Sequence, residues 1–433
     1  MKKSTDFRYN TGDCNVPWPA VGENYNAEDM MEVIKFMMQG EGEEYDKIVK
    51  AVQENIEKLS KISKAPGKLS LGSHVEGAEE KASEILGGAP TVFVANATAG
   101  FEIAYKYANL KPGDEVIVPA ITFIATIAYP LAIGAKLVFA DVDDHVNMDP
   151  KDVARKITSK TKMIVPVHIG GYPCDMDEIM ELARKNDILV LEDAAHAFGA
   201  KYKGRPIGTI GDFGGFSFHE VKNITSFGEG GILTSSVQGF ENDMKRSRFF
   251  GLDFSCPIKD WLYNVTAIQG KYGKYIAGNS STTEIQGLGL ELQMKRNDEI
   301  IATRKKAAEY LSKRFSECDA IIPQDLGEDR EPTFHLYLLK LIPEKAGGDI
   351  QEFKARLKEK GVTEIAHFGP LYRFKAVQDM GYDSDEIAKS CPNCEDIFYK
   401  RYTHLPIYGL SDEQLEYLAD AVLSTIHEMQ ESK

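Results

Sequence analysis

Seven short apolar runs, separated by helical patterns, occupy the chain from about residue 91 to residue 236. Most of them are unbroken and rich in Val, Ile, Leu and Phe, which is typical of strands that are covered on both faces. They are TVFVA (91–95), EVIVPA (115–120), KLVFADV (136–142), MIVPVH (163–168), ILVLEDA (188–194), GGFSF (214–218) and GILTS (231–235). This alternation predicts an α/β fold in which helices flank a doubly wound, mainly parallel, seven-stranded sheet.

Helix-capping signals support the helical segments between and after these runs. Asp149 is followed by Pro150, which predicts an N-cap and a first helical residue. A second helix is predicted to begin at Asp175, and Ser411 with Gln414 forms a capping box for the last helix. The segment 283–315 predicts a long helix that is interrupted near Gly289 or Asn297.

The pattern changes along the chain and suggests three parts. Residues 1–67 form a helical segment with two amphipathic patterns. Residues 68–282 form a large domain around the sheet, and residues 283–433 form a smaller C-terminal α/β domain.

Composition excludes several classes of partner. The 51 basic and 66 acidic residues give a net charge of −15, which argues against nucleic acid and anionic membranes. The N-terminus does not resemble a signal peptide, and no apolar run reaches the roughly 18 residues of a membrane span. The six cysteines are scattered, which is typical of reduced thiols. A cytoplasmic protein is therefore expected.

The sequence CPNC (391–394) leaves two main interpretations open, and a redox role is disfavoured because no thioredoxin-like βαβ context surrounds it. The first is a pair of ordinary thiols at a helix start, which is favoured, and no metal is expected. The second is a structural zinc site, which requires two further ligands; His367 and His404 are the candidates.

Residues with useful chemistry follow several of the predicted strands. The first strand is followed by Asn96-Ala97-Thr98, which opens a helix, and helix N-termini favour anions such as phosphate. Phe123 follows the second strand, although a core position is its simpler interpretation. Asp193 and His196 follow the fifth strand. The sixth ends at Ser217 and leads to Lys222 and a glycine-rich turn.

Ligands of open α/β sheets bind at the carboxyl ends of the strands, so these residues are expected at one edge. A phosphate cradle, a flat aromatic face, a buried carboxylate and a lysine are what pyridoxal 5′-phosphate requires. Lys222 would bind the cofactor covalently, and Asp193 would keep its ring nitrogen protonated. Desolvation and a nearby cationic ring would lower the proton affinity of Lys222.

The motifs that carry these residues resemble those of the DegT/DnrJ/EryC1/StrS family of sugar aminotransferases. The similar segments are VPAITFIATI, GAKLVFADVD, EDAAH, GDFGGFSFHEVKN with GEGG, and TEIQGLGL, within roughly residues 68–430. The resemblance implies a fold type I aminotransferase, pyridoxal 5′-phosphate as cofactor, and a homodimer whose active sites lie at the subunit interface.

The resemblance also implies roles for individual residues. Lys222 matches the Schiff-base lysine and Asp193 the partner of the ring nitrogen. His196 matches a residue near the ring hydroxyl, and Phe123 matches the aromatic that stacks on the ring. Four further residues match phosphate contacts, the last of them to the cofactor of the neighbouring subunit: Ala97, Thr98, Ser217 and Asn279.

Two departures from the family pattern concern substrate and phosphate contacts. Ser280 and Ser281 follow Asn279, where the family usually has Tyr and Arg, and Ala97 replaces a common Gly. His219 is equally compatible with substrate contact and with packing. The Lys271–Tyr275 loop is interpreted as solvated, and contact with an acidic substrate across the dimer is the alternative.

The expected activity is transfer of an amino group, by family analogy from glutamate, onto a keto sugar of bacterial surface polysaccharide or lipopolysaccharide. The acceptor is either a nucleotide-linked keto-hexose or a free acidic sugar such as 8-oxo-3-deoxy-octulosonate. Two alternatives remain open: a sugar dehydratase of the same family, and a regulatory protein on this fold. The dehydratases carry His at the lysine position, whereas this chain has Lys222.

Overall fold

A computed structural model describes residues 25–63, 68–253, 264–363 and 368–432. The strands in chain order are β1 (Thr91–Val94), β2 (Glu115–Pro119), β3 (Lys136–Ala140), β4 (Thr161–Ile164), β5 (Leu189–Asp193), β6 (Lys201–Tyr202), β7 (Arg205–Pro206), β8 (Phe213–Ser217), β9 (Gly231–Ser235), β10 (Ile268–Gly270), β11 (Gly273–Tyr275), β12 (Ile321–Ile322), β13 (Arg330–Glu331), β14 (Tyr337–Leu341) and β15 (Tyr402–Leu405).

The central element is a seven-stranded sheet of order β1-β9-β8-β5-β4-β2-β3. Only β9 runs antiparallel to its neighbours β1 and β8; the other neighbouring pairs are parallel. Each of the seven apolar runs supplies one strand, and the inner strands are buried along their length. The predicted mainly parallel sheet is confirmed.

Helices cover both faces of this sheet and continue into the C-terminal part. In chain order they are α1 (Ala27–Met37), α2 (Glu43–Ser60), α3 (Ser73–Ile85), α4 (Ala97–Ala108), α5 (Ala125–Ala132), α6 (Pro150–Lys156), α7 (Met176–Asn186), α8 (Glu241–Ser247), α9 (Glu284–Met294), α10 (Asn297–Phe315), α11 (Pro343–Ala346), α12 (Ile350–Glu359), α13 (Lys375–Asp379), α14 (Ser384–Ser390), α15 (Pro392–Asp396) and α16 (Asp412–Glu431).

The predicted capping positions hold, with one difference in chemistry. The Asp149 carboxylate accepts from the Lys151 N–H at 2.9 Å, and Ser411 forms its capping box. Asp175 stands at the N-cap of α7, but its carboxylate binds Arg330 instead of the helix N–H groups. The predicted interruption of 283–315 falls between α9 and α10, immediately before Asn297.

Buried apolar side chains form two clusters with members from the strands of the main sheet and a third in the C-terminal part. The third cluster joins α10, α12 and α16 to a small sheet of order β12-β14-β15. Helix α9 instead contributes Leu290 and Met294 to a cluster of the main sheet. The division at residue 283 stays a prediction.

Cys391 and Cys394 are buried thiols at the start of α15. Burial raises the pKa of the Cys391 thiol to about 11, which keeps it protonated at neutral pH. His367, one of the possible zinc ligands, lies outside the described residues. Among the described residues, no group of His, Cys, Asp and Glu is arranged to hold a metal ion.

No helix in the part of the chain that the structure describes has both the length and the apolar character needed to cross a bilayer.

Candidate active site

Lys222 lies in a loop between β8 and β9 that is fixed by its own backbone. Its N–H donates to the His219 carbonyl at 2.9 Å. Further along the loop, the Ser226 N–H donates to the Phe218 carbonyl at 3.0 Å. Phe227 adopts a left-handed conformation with φ of 48°, and Gly228 follows at φ of 113°. The glycine-rich turn thus reverses the chain after Lys222, and the backbone hydrogen bonds fix the path of the loop.

The Lys222 ammonium is largely removed from water. Burial lowers the pKa of the Lys222 amine from 10.5 to about 8, although the Asp193 carboxylate acts in the opposite direction. The influence of Asp193 shows that the two groups share one site. Lys222 is therefore poised to supply a neutral amine near physiological pH.

Asp193 ends β5 and is only 4% exposed. Its Oδ2 accepts from the Thr126 hydroxyl at 2.7 Å, and its Oδ1 accepts from the Ala195 N–H at 3.2 Å. Burial raises the pKa of Asp193, whereas these hydrogen bonds and the charge of Lys222 oppose that rise. A buried carboxylate with room for one more partner favours a cationic group beside it.

Phe123 is 56% exposed, so the core position that seemed simpler from sequence is wrong. It follows β2 and precedes α5, whose Thr126 binds Asp193. Its only described aromatic neighbour is Phe368, with the ring centroids 6.2 Å apart and the rings edge to face. One face of Phe123 is thus available to a flat ligand at the same edge as Asp193.

The N-terminus of α4 lies against the ends of β8 and β9. Ser217 pairs with Gly231 in the sheet. A methyl group added to Gly231 would lie 2.5 Å from the Ala97 nitrogen, so only glycine permits this approach. Ala97, Thr98 and Ser217 thereby lie close together at the first N–H groups of a helix. This arrangement suits a phosphate.

Asn279 is exposed at the surface near this cradle. The carbonyl of the next residue, Ser280, accepts from the Ala95 N–H at 3.0 Å, which ties this loop to the end of β1. The Asn279 Oδ1 accepts from the Ser281 N–H at 3.0 Å. Ser281, one of the two departures from the family pattern, therefore orients the asparagine side chain.

His196 lies beside Lys222 and is buried. Its Nδ1 accepts from the Gly170 N–H at 3.3 Å, which leaves the proton on Nε2. Burial and the charges of Lys222 and His335 hold the pKa of His196 well below its ordinary value. His196 is therefore a neutral hydrogen-bond donor.

Residues from the C-terminal part complete the site, and the sequence did not indicate them. The His335 ring lies 4.5 Å from the His196 ring, and its Nδ1 donates to Asn223 Oδ1 at 2.9 Å. Phe368 lies 5.2 Å from His196, and the ring of His404 is 6.4 Å from Phe368. These residues are more than a hundred positions from Lys222, and no local motif marks them.

Thr126 was missed for a different reason. It follows the second predicted strand by only a few residues, within the ITFIAT segment. This Thr hydroxyl comes shortly after a strand end, at the edge where a buried carboxylate was expected. That position could have indicated its hydrogen bond to Asp193.

Other polar residues have roles outside the site. His168 lies in a buried network: Nε2 is 3.2 Å from Glu192, and Nδ1 accepts from the Cys174 N–H at 3.0 Å. Lys271 pairs with Asp187 at 2.8 Å, which accounts for it without substrate. His219 lies 3.8 Å from Glu229 across the glycine turn.

The residues present fit pyridoxal 5′-phosphate. A deeply buried carboxylate faces a lysine with a depressed pKa. An exposed aromatic face and a glycine-lined helix N-terminus lie at the same edge of the sheet. The lysine suits the carbon of the cofactor that binds amines, the carboxylate and the aromatic face suit its ring, and the helix N-terminus suits its phosphate.

Comparisons with known proteins agree with this chemistry. The model of the DegT/DnrJ/EryC1/StrS aminotransferase family matches residues 50–423. The spore coat polysaccharide biosynthesis protein SpsC of Bacillus subtilis (strain 168) is 33% identical over 366 residues, which cover 82% of this chain and 90% of that protein. GDP-perosamine synthase of Escherichia coli O157:H7 is 30% identical over 357 residues, which cover 82% of this chain and 90% of that protein.

A solved structure of a putative sugar aminotransferase from Streptococcus pneumoniae, in its PLP form, matches with a TM-score of 0.74. The two chains are 27% identical, and the match covers 84% of this chain and 94% of that one. The architecture is that of the fold type I enzymes, and their cofactor is pyridoxal 5′-phosphate. The chain belongs to the DegT/DnrJ/EryC1/StrS family of PLP-dependent aminotransferases.

Proposed function

We propose that the protein transfers an amino group from glutamate onto a keto sugar, producing an amino sugar for bacterial surface polysaccharide or lipopolysaccharide. It works in the cytoplasm as a homodimer with shared active sites. The observation that carries the proposal is Lys222, held with a pKa of about 8 in the same site as the buried Asp193. The names of SpsC and GDP-perosamine synthase support a sugar acceptor.

Lys222 has two tasks in this proposal. Pyridoxal 5′-phosphate, when bound, supplies an aldehyde that captures amines and a ring that accepts electrons. Lys222 would hold the cofactor covalently through its neutral amine, and its lowered pKa of about 8 keeps that form available. Lys222 would also serve as the general base and then the general acid that moves a proton during amino transfer.

Asp193 would bind the ring nitrogen of the cofactor and keep a proton on it. The Thr126 hydroxyl fixes the orientation of the carboxylate, because it donates to Oδ2 at 2.7 Å. Oδ1, which accepts only a 3.2 Å bond from the Ala195 N–H, would remain available to that nitrogen. The orientation matters because a charge-assisted hydrogen bond depends on alignment.

The remaining site residues position the cofactor. Phe123 would stack on the ring of the cofactor, and His196 would donate a hydrogen bond to the ring hydroxyl. Three residues would hold the phosphate within the subunit, and one would reach the cofactor of the neighbouring subunit: Ala97, Thr98, Ser217 and Asn279.

The substrate carries an anionic group in this proposal, as glutamate and an acidic sugar both do. Arg304 of α10 is 3% exposed and donates to the His335 carbonyl at 3.4 Å. Its Nε has no hydrogen-bond partner, and no carboxylate of the described residues forms an ion pair with it. A buried guanidinium without a counter-ion is costly, so an anion beside His335 would be stabilised.

Purified protein, supplied with cofactor and glutamate, tests the proposal against a panel of keto sugars. The panel contains nucleotide-linked keto-hexoses and 8-oxo-3-deoxy-octulosonate, and mass spectrometry detects the amino sugar and 2-oxoglutarate. We expect one acceptor to be converted, and the Lys222→Ala variant to convert none. If only nucleotide-linked hexoses are converted, the octulosonate is excluded as the acceptor. If no keto sugar is converted, the proposal is refuted.

A further inference from the structure

Asn223, the residue after Lys222, connects the lysine loop to the C-terminal part of the chain through both ends of its side-chain amide. Its Nδ2 donates to the Thr333 carbonyl at 3.0 Å. Its Oδ1 lies 2.9 Å from Nδ1 of His335. One amide therefore holds both the backbone and a side chain of the segment that reaches the active site.

The Thr333 carbonyl determines which way round the amide of Asn223 lies. A carbonyl oxygen only accepts hydrogen bonds, so the NH₂ group must face Thr333, because the opposite orientation would bring two acceptors 3.0 Å apart. The Oδ1 atom then faces His335, and an amide oxygen also only accepts. Nδ1 of His335 must therefore carry the proton, which leaves Nε2 as a hydrogen-bond acceptor.

The segment that carries His335 is fixed against the segment that carries His196. The Thr333 hydroxyl donates to the His196 carbonyl at 2.8 Å, and the Thr333 N–H donates to the Gly171 carbonyl at 3.2 Å. Gly171 has φ of 86°, and a methyl group added there would lie 2.8 Å from the His196 carbonyl oxygen, so only glycine permits this approach. The two imidazole rings, 4.5 Å apart, are therefore held in a fixed relation.

These two rings present opposite hydrogen-bonding groups. Nδ1 of His196 accepts from the Gly170 N–H at 3.3 Å, so its Nε2 is a donor, whereas Nε2 of His335 is an acceptor. His335 is mostly buried but keeps part of its surface exposed, and its Nε2 has no hydrogen-bond partner among the described residues. Burial and the charges of Lys222 and Arg304 hold the pKa of His335 well below its ordinary value, so the ring stays neutral.

We propose that Asn223 is a positioning residue that holds His335 in the Nδ1–H tautomer, so that Nε2 accepts a hydrogen bond from a hydroxyl group next to the keto carbon of the acceptor sugar. The ring nitrogen accepts, so its partner must donate, and hydroxyl groups are the donors that a sugar offers. A buried acceptor left without a donor is costly, so this contact selects for the hydroxyl. The identity of the donor rests on the proposed function, whereas the tautomer does not.

The tautomer is measured in the full-chain protein without any keto sugar or amino donor. Protein labelled with ¹³C and ¹⁵N in its histidines and asparagines is studied by magic-angle-spinning NMR, which distinguishes protonated from unprotonated ring nitrogens. Contact with the amide carbon of Asn223 identifies the His335 signals. We expect a proton on Nδ1 and none on Nε2 in His335, and the reverse in His196. A proton on Nε2 of His335 would overturn the proposal.

Variants of Asn223 separate positioning from a purely structural role. Asn223→Ala removes the acceptor, so a proton should appear on Nε2 of His335, whereas Asn223→Asp keeps an oxygen toward His335 and should retain the Nδ1–H form. Asn186→Ala, which removes an exposed amide of α7 that donates to the Leu182 carbonyl, is the control and should leave the His335 signals unchanged. An unchanged tautomer in Asn223→Ala would contradict the positioning role. If that variant does not fold, the wild-type and Asn223→Asp spectra still decide.

Kinetics of transfer to the sugar test the hydroxyl. The acceptor is compared, as kcat/KM, with its analogue that lacks the hydroxyl next to the keto carbon. The wild-type enzyme should prefer the hydroxyl-bearing acceptor by about 10- to 100-fold, Asn223→Ala should lose most of this preference, and Asn223→Asp should retain it. Equal preference in the wild-type enzyme and Asn223→Ala, or a loss confined to the glutamate step, would overturn the assignment of Nε2 to the hydroxyl. If no keto sugar is converted, the proposed function and the hydroxyl contact both fail, whereas the measured tautomer stands.

Discussion

The pKa of Lys222 predicts how fast the apo protein captures its cofactor at each pH. Only the neutral amine attacks the aldehyde, so the capture rate should follow the deprotonated fraction. A pKa of about 8 leaves about one tenth of the amine neutral at pH 7, roughly 300-fold more than a pKa of 10.5 would leave. The rate should therefore rise with pH and level off above about 8.

Rapid mixing of apo protein with pyridoxal 5′-phosphate, followed by absorbance, measures this profile. Lys222→Ala gives the blank, and the same reaction with N-acetyl-lysine methyl ester corrects for titration of the cofactor itself. Because the Asp193 carboxylate raises the pKa of Lys222, Asp193→Asn should move the midpoint to lower pH. A corrected rate that still climbs about tenfold per pH unit between about pH 8 and 9.5 would show an ordinary lysine and refute the reasoning.

Three further predictions concern stability and cofactor binding. Lys222→Met should stabilise the apo fold at pH 7 by up to about 3 kcal/mol, because the folded protein holds this amine at a pKa of about 8 instead of 10.5. Thermal unfolding should show that gain disappearing as the pH rises from about 8 to 10.5, and a pH-independent gain would contradict the desolvation. Thr126→Val should cost about 1 to 3 kcal/mol in urea unfolding, because it leaves an oxygen of Asp193 without its donor. Thr126→Ser should retain most of that stability, and equal losses in both variants would argue against the hydrogen bond. Gly231→Ala should weaken cofactor binding in equilibrium titration, since its methyl group would meet the backbone at the start of α4. Gly278→Ala, whose methyl group meets nothing closer than 3.6 Å, is the control, and equal affinity of both variants would contradict the close approach.

The sheet and one side of the site were predictable because their signals are local. Each strand is a continuous apolar run, and the carboxyl edge of a parallel sheet collects whatever follows those runs. Asp193, Ser217 and Lys222 were found in this way. Asn96 and Ala97 were predicted as a phosphate-binding helix start because the first strand leads directly into a helix there.

The other side of the site depends on tertiary packing that no local pattern reports. His335, Phe368 and His404 come from the C-terminal part, and they reach His196 only because that part packs over the sheet edge. The exposure of Phe123 was misjudged for the same reason. A phenylalanine after an apolar strand is usually buried, whereas Phe123 is 56% exposed.

The most direct test of the central claim is to locate the covalent attachment of the cofactor. Borohydride reduction of the yellow holoprotein, followed by proteolysis and mass spectrometry, identifies the modified lysine. The phosphopyridoxyl group should appear on Lys222 and on no other lysine, with loss of the yellow colour. Modification of a different lysine, or a colour that borohydride does not remove, would contradict the assignment of Lys222 as the catalytic amine.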